Sequence, residues 1–402
     1  MVMANRLEKV LIDSSTNHYV ESWQIDSGSI PHYEGPAWRI TKYVLRGGRQ
    51  HGVDAVEIHN GEMAITVVPT RGMNIMDART EDVVMGWQSP VREVVHPAYI
   101  QAEARGGLGW LEGFNELMCR CGLENTGAPG PDVIVDNQGN QSTVTLPLHG
   151  RISNCPASRL WASVELQEPY RLTVSGEVPE ARMFGPSYLL RTAISTLPGS
   201  TEFTISDRIQ NLRAVPEEME LLYHCNYGPP ILGEGARAVV PLRRLSARDR
   251  SALAGLKAWD RYGAPQAGFV EQCYFLTLHA DRRGGTAVAL VSPQGDLAAS
   301  IRSSVRQLPA FTIWKNTVAA ADGYVTGLEP GTDYPNSRRF EREKGRLVRI
   351  APGATYEAQI VMGLVRGKPA VTRLCNEISA LCKGKPSIVC QGIEPELSPA
   401  GH

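Results

Sequence analysis

Leu160-Trp-Ala-Ser-Val-Glu-Leu166, Tyr170-Arg-Leu-Thr-Val-Ser-Gly176, Tyr188-Leu-Leu-Arg-Thr-Ala-Ile-Ser195 and Glu202-Phe-Thr-Ile-Ser-Asp-Arg-Ile209 follow one another with starts about 10 to 18 residues apart. Each is a short run of β-branched, aromatic and aliphatic residues bounded by a turn signal. Regular short strands of this kind mean an antiparallel sandwich or barrel. Upstream, Val53-Asp-Ala-Val-Glu-Ile-His59 alternates, Asn60-Gly61 is a hairpin turn, and Glu62 to Pro69 returns. Downstream, Gly268 to Leu278 and Gly285 to Ser292 read as a second hairpin. Arg346–Ile350 and Ala354–Leu364 are the last strands. The fold class is therefore all-β, a large antiparallel β-sandwich over residues 50–365. Residues 1–50 form an N-terminal extension packing on it, with Asn5 to Leu11 open between a short helix and an edge strand. Residues 366–402 form a C-terminal tail with a short helix over Ala370 to Lys383, loose after Gly384.

The composition allows that core. Hydrophobic residues make up 42% of the 402 and charged residues 21%. Formal net charge is −1, which argues against a nucleic-acid or anionic-membrane partner. No apolar run approaches the ~20 residues of a bilayer span. The N-terminus lacks a signal pattern, so the expected location is cytoplasmic. The eight cysteines are scattered and form no Cys-x-x-Cys pair, so neither a metal site nor a disulfide framework is expected. The Gly- and Trp-rich stretch from Glu103 to Phe114 reads as loop or short helix. It contains neither glycine pattern of a phosphate-binding loop.

The chemistry concentrates where strands end. In Tyr324-Val-Thr-Gly327-Leu-Glu329-Pro330, proline should stop the strand. Alternation puts Glu329 on one face with Gly327, whose missing side chain leaves space beside the carboxylate. That suits a general base; taken alone, a solvated turn glutamate is the commoner outcome. His224 and Asn226 share a face of the strand that ends at Gly228-Pro-Pro230, and a single buried histidine is more often a satisfied core residue. His149 sits in a His-Gly-Arg turn. Arg71 leaves the strand that ends at Val68-Pro69, where a lone arginine is usually a surface or salt-bridge residue. Glu271 opens one strand, and Trp314 and Lys315 close another; for Trp314, core packing and ligand contact weigh equally.

Pro147-Leu-His149-Gly150, His224-x-Asn226, Glu271 after Gly268-Phe-Val, and Gly327-Leu-Glu329-Pro330 with Pro335-Asn336 stand in this order along the chain. The set resembles the galactose mutarotase (aldose 1-epimerase) superfamily, over roughly residues 50–365. With Val68-Pro-Thr-Arg-Gly-Met-Asn-Ile75 and Cys121-Gly-Leu123 it is most similar to the uncharacterised bacterial branch. The resemblance implies a sandwich whose concave face binds a sugar. It makes His224 the general acid and Glu329 the general base. His149 then binds hydroxyls, and Glu271 stands where the family has a sugar-gripping Asp. The family's Asn-Arg pair has no clean match; Arg120 lies in its region, and Arg71 could supply the charge.

Anomer exchange needs a proton removed from the C1 hydroxyl and another given to the ring oxygen, with no cofactor and no metal. A carboxylate and a histidine kept charged by neighbouring carboxylates would provide this. Arg71, Asn226 and Lys315 would help hold the sugar, and Trp314 would offer it an apolar face. The leading function is thus an aldose 1-epimerase-like isomerase of a free sugar, with a homodimer allowed. A second reading is an isomerase or lyase of acidic or keto sugars, favoured by positive charge near the pocket (Arg71, Arg120, Arg151, Lys315). The third is a non-catalytic carbohydrate-binding or sensor protein.

Overall fold

A computed structural model describes residues 5–401. Two large sheets dominate. One runs, in spatial order, through Arg237–Val239, Gly285–Val291, Leu297–Ser304, Thr355–Arg366, Glu202–Asn211, Ser187–Thr196, Leu172–Ala181, Arg159–Glu165, Arg6–Asp13 and His18–Tyr19. The other runs from Ile388–Val389 through Leu242–Ala247, Gln272–Leu278, Ala310–Asn316, Val325–Gly331, Glu217–Tyr227, Met118–Leu123 and Asn74–Arg79 to the strands of residues 23–68. Neighbours pair antiparallel throughout, except that Ile388–Val389 joins Arg244–Leu245 in parallel. The architecture is the all-β sandwich expected.

Alternation sorts the residues of the second sheet into two layers. Tyr223, Leu328, Ile313 and Leu276 point into the main core, opposite Ile205, Ile301 and Ile360 of the first sheet. Their neighbours Leu222, Cys119 and Cys121 point outward into a second, smaller cluster with Trp110 and Phe114. Cys273 and Phe275 join a third, with Tyr334. The central strands are buried on both faces because the segment from Trp87 to Phe114, the turn around His149 and the C-terminal tail cover the outer one. Each large side chain so buried contributes about 1.5–3 kcal/mol.

Several expectations are corrected. Residues 5–50 do more than pack on the sandwich as an extension: Arg6–Asp13 pairs with Arg159–Glu165 in one sheet, and Arg39–Val44 pairs with Asp54–His59 in the other; residues 1–4 of that expected extension lie outside the described residues. Gln272–Leu278 and Gly285–Val291 do not form a hairpin. The first pairs with Leu242–Ala247 and Ala310–Asn316, the second with Arg237–Val239 and Leu297–Ser304, in different sheets. Both runs are apolar on both sides, so their pattern carries no choice of partner. Helix Lys368–Ala380 begins two residues early and seats Val371, Leu374 and Ile378 on the first sheet.

The tail beyond Gly384 is fixed, not loose. Ile388–Val389 extends the second sheet, Arg244 pairs with Glu394, and Asn336 donates to the Leu397 carbonyl at 2.9 Å. Nor does the strand stop at Pro330. It runs Val325–Gly331. Its ladder with Ala310–Asn316 is continuous, whereas that with Glu217–Tyr227 breaks opposite Glu329 and Pro330. The missing proline donor falls within the gap.

Candidate active site

The register builds the site. Leu222 pairs with Gly331 and Cys225 with Leu328, so His224 falls opposite Glu329 across the unbridged step. Trp314 pairs with Gly327, and Thr312 with Glu329. His224, Glu329 and Trp314 therefore share the outer face of three adjacent strands. They line a cavity of about 300 Å³ together with His149, Glu271 and Arg248, under a wall that includes Trp110 and Phe114.

His224 Nε2 lies 3.2 Å from Glu329 Oε1. Asn226 Nδ2 donates to the Glu116 carbonyl at 3.0 Å, which turns its Oδ1 toward His224 Nδ1 at 2.6 Å. Nδ1 therefore carries a hydrogen, and in the neutral ring Nε2 is the bare nitrogen facing Glu329. Glu329 is 2% exposed, and its Oε1 has no hydrogen-bond partner. Burial pushes Glu329 well above the usual carboxylate range; the nearby Glu271 adds to this and Arg248 opposes it. Burial also holds His224 well below the usual histidine value, with His149 contributing in the same direction. Phe114 and Trp314 lie at ring separations of 5.1 and 5.4 Å. The expectation of a histidine kept charged by carboxylates is not met: burial outweighs the one opposing contact, the hydrogen bond with Asn226. His224 and Glu329 are also in contact, so no sugar ring fits between them; a ligand must approach the pair from the cavity.

His149 occupies the left-handed region at φ 57°. The conformation is held from both sides, since its N–H donates to the Gly127 carbonyl and its carbonyl accepts from Gly122, each at 3.0 Å. Gly150 follows at φ 69°, with the Gly122 carbonyl where a Cβ would lie. Such overdetermined strain is typical of functional turns. His149 Nδ1 donates to the Thr126 carbonyl at 2.6 Å, leaving Nε2 as an acceptor, and burial lowers its pKa to about 4. Trp110, anchored by Ser153 at 2.8 Å, sits 4.6 Å from the His149 ring.

Glu271 Oε2 accepts from Trp314 Nε1 and Oε1 from Arg248 Nη2, both at 2.8 Å. Arg71 is elsewhere. It is 1% exposed, and its guanidinium is spent on Glu116 and on the carbonyls of Val95 and Gly113. The glycine after it, at φ 60°, packs against the backbone of Ile152 and does not aim it at a pocket. Lys315 is also elsewhere. One step from Trp314, it points to the opposite face, donates to the Ala258 and Arg261 carbonyls at 2.7 Å, and has its pKa lowered by burial to about 8. Arg120 is tied to Asp207, and Arg151 to Glu103. Asn226 reaches the cavity only through His224. Sequence reasoning missed Arg248, in a loop-rich stretch without pattern. It also missed Trp110 and Phe114, whose clustering with glycines was visible but unassigned.

A model of the family described as "Domain of unknown function (DUF4432)" matches residues 50–364. The crystal structure of a candidate aldose 1-epimerase from Klebsiella pneumoniae is 35% identical, with a TM-score of 0.90 over 97% of this chain and 99% of that one. A galactose mutarotase-like protein from Clostridium acetobutylicum shares the fold at 11% identity and a TM-score of 0.54, over 81% of this chain and 98% of that one. No curated protein matches the chain.

Proposed function

Since the chain belongs to the DUF4432 family and folds as a galactose mutarotase-like sandwich, we propose that it is an aldose 1-epimerase-like isomerase that interconverts sugar anomers without a cofactor. The observation that carries this is the contact of His224 Nε2 with Glu329 Oε1 at 3.2 Å, at a cavity whose lining is otherwise largely apolar. The pair holds one proton. Burial favours it on Glu329 before a sugar binds. Sugar hydroxyls donating to the carboxylate stabilise its charged form and move the proton to His224. Glu329 then takes the hydrogen of the C1 hydroxyl while His224 delivers its own to the ring oxygen. The bond from C1 to the ring oxygen breaks, the aldehyde turns about C1–C2, and closure on the other face returns both protons. The remaining residues bind and orient: His149 Nε2 accepts a hydroxyl, and Trp314 and Trp110 present apolar surface to C–H faces.

Positive charge, which would favour an acidic substrate, is scarce. Arg71, Arg120 and Lys315 are buried on other partners, and Arg248 is compensated by Glu271 and Asp249. Saturation-transfer NMR between anomers, run over a panel of free sugars, tests the proposal. Glu329→Gln should lower exchange by ~100-fold or more and leave affinity within a few-fold. Full exchange by that variant would remove Glu329 from the mechanism. Binding without exchange by the unmodified protein would favour a sensor.

A further inference from the structure

Among the described residues Arg248 is the one lysine or arginine lining the cavity, and it is held in place from several directions. Its backbone N–H donates to the Cys273 carbonyl at 2.9 Å, and its carbonyl accepts from the Ser398 hydroxyl of the C-terminal tail. Its Nε donates to Asp249 at 2.9 Å and its Nη2 to Glu271 at 2.8 Å. Asp249 is itself fixed as the cap of helix Arg250–Ala254. Glu271 is fixed by the Trp314 indole, whose ring lies between it and His224. The result is an ordered arc, Asp249–Arg248–Glu271–Trp314, leading to the reacting pair.

Neither end of the central ion pair is used up. Arg248 has five N–H donors, and its Nη1 makes no hydrogen bond among the described residues. Each Glu271 oxygen accepts one bond and keeps a lone pair. A planar donor beside a carboxylate acceptor matches two neighbouring hydroxyls, each of which accepts at oxygen and donates its hydrogen. A free anion is a poor match, because two carboxylates already surround the guanidinium.

We propose that Arg248 and Glu271 form a subsite for a vicinal diol of the substrate, on ring carbons one indole width from the reacting carbon. This deepens the epimerase reading by assigning specificity to a part of the same cavity, and it rests on that reading. Arg248 donates to both hydroxyl oxygens, Glu271 accepts from both, and Trp314 lies against the C–H face between this subsite and His224.

The test uses the intact protein. Tryptophan fluorescence, sensitive to Trp314, gives the Kd of D-galactose, D-glucose, D-xylose, L-fucose and L-rhamnose, and NMR gives their anomer exchange. For the tightest binder, the single-deoxy analogues are measured on the unmodified protein, on Arg248→Gln and on Arg248→Lys. Removing one diol hydroxyl should weaken binding to the unmodified protein by about tenfold or more, as for hydrogen bonds to charged groups. The same removal should cost Arg248→Gln several-fold less, because only the Glu271 acceptor remains to be lost, and deoxygenation elsewhere on the ring should cost all forms alike. Arg248→Lys, which keeps charge but loses the fork, should fall between. Melting curves establish that each variant is folded. The loss should appear in KM more than in kcat. Equal losses for every analogue, unchanged Kd in both variants, or binding of none of the five sugars would overturn the subsite. Binding with the expected analogue pattern but no exchange would leave the subsite standing and remove the epimerase.

Discussion

His224 keeps its hydrogen on the nitrogen that faces Asn226, and this fixes what the other nitrogen can do. With Glu329 raised and His224 lowered by the same burial, the pair gains a second proton only below the usual histidine value and loses its one proton only above the usual carboxylate value. The imidazole of His224 should therefore take up its second proton only below 6.5, the ordinary histidine value; ring resonances that titrate at 6.5 in an NMR pH series would show His224 behaving as though in water. The roles suggested for His224, Glu329, His149 and Glu271 were those the family resemblance implies at strand exits, and the fold brings these four and Trp314 around one cavity. Arg71 shows the limit of that reading, because a strand-exit arginine looks the same whether it faces a pocket or a buried carboxylate. Arg71→Ala leaves Glu116 buried without its partner and should destabilise the fold by about 3–5 kcal/mol, seen in chemical denaturation, with sugar affinity little changed in the folded fraction.

Among elements, strand Val325–Gly331 shows why glycine stands at 327. A Cβ there would lie 2.3 Å from Glu329 Oε1 and 3.3 Å from His224 Cε1. The space beside the carboxylate is thus taken by the carboxylate itself. Gly327→Ala should displace Glu329, abolish most exchange and leave the melting temperature within a few degrees; normal exchange by this variant would mean that the contact is not needed. The sequence showed this strand and its glycine. It could not show that the strand continues through Pro330, because that depends on a gap in the neighbouring ladder. The tail was illegible for a similar reason: two apolar residues, Ile388 and Val389, give no periodicity, and their partner lies far away at Arg244. Deleting residues 385–402 removes the Leu397 and Ser398 contacts to Asn336 and Arg248. Sugar affinity should fall with the strap, and unchanged affinity would separate the tail from the cavity.

At the scale of the whole molecule, two sheets and their inner faces were readable from alternation, while the pairing of doubly buried strands was not. Stability should respond to pH through groups enclosed between these layers. Glu180, which accepts the Leu123 N–H at 3.2 Å, is pushed by burial from 4.5 to about 7. Between those values the folded chain binds a proton that the unfolded chain has released, so this group costs nothing below 4.5 and its cost grows until about pH 7. Glu180→Gln should raise stability at pH 8 by on the order of 1–2 kcal/mol and by much less at pH 4, as read by denaturant titration at both.

Strand Thr355–Arg366 lies between Glu202–Asn211 and Leu297–Ser304. On a ribosome, the first of those neighbours emerges long before the strand that joins them. At about 5–20 residues per second, the edge at Glu202–Asn211 waits roughly 7–30 s for its partner. During that interval Phe203, Ile205 and Ile209 belong to an unfinished layer, open to any passing edge. Yield in the cell should therefore depend on translation speed and on chaperone supply more than on the stability of the finished sandwich.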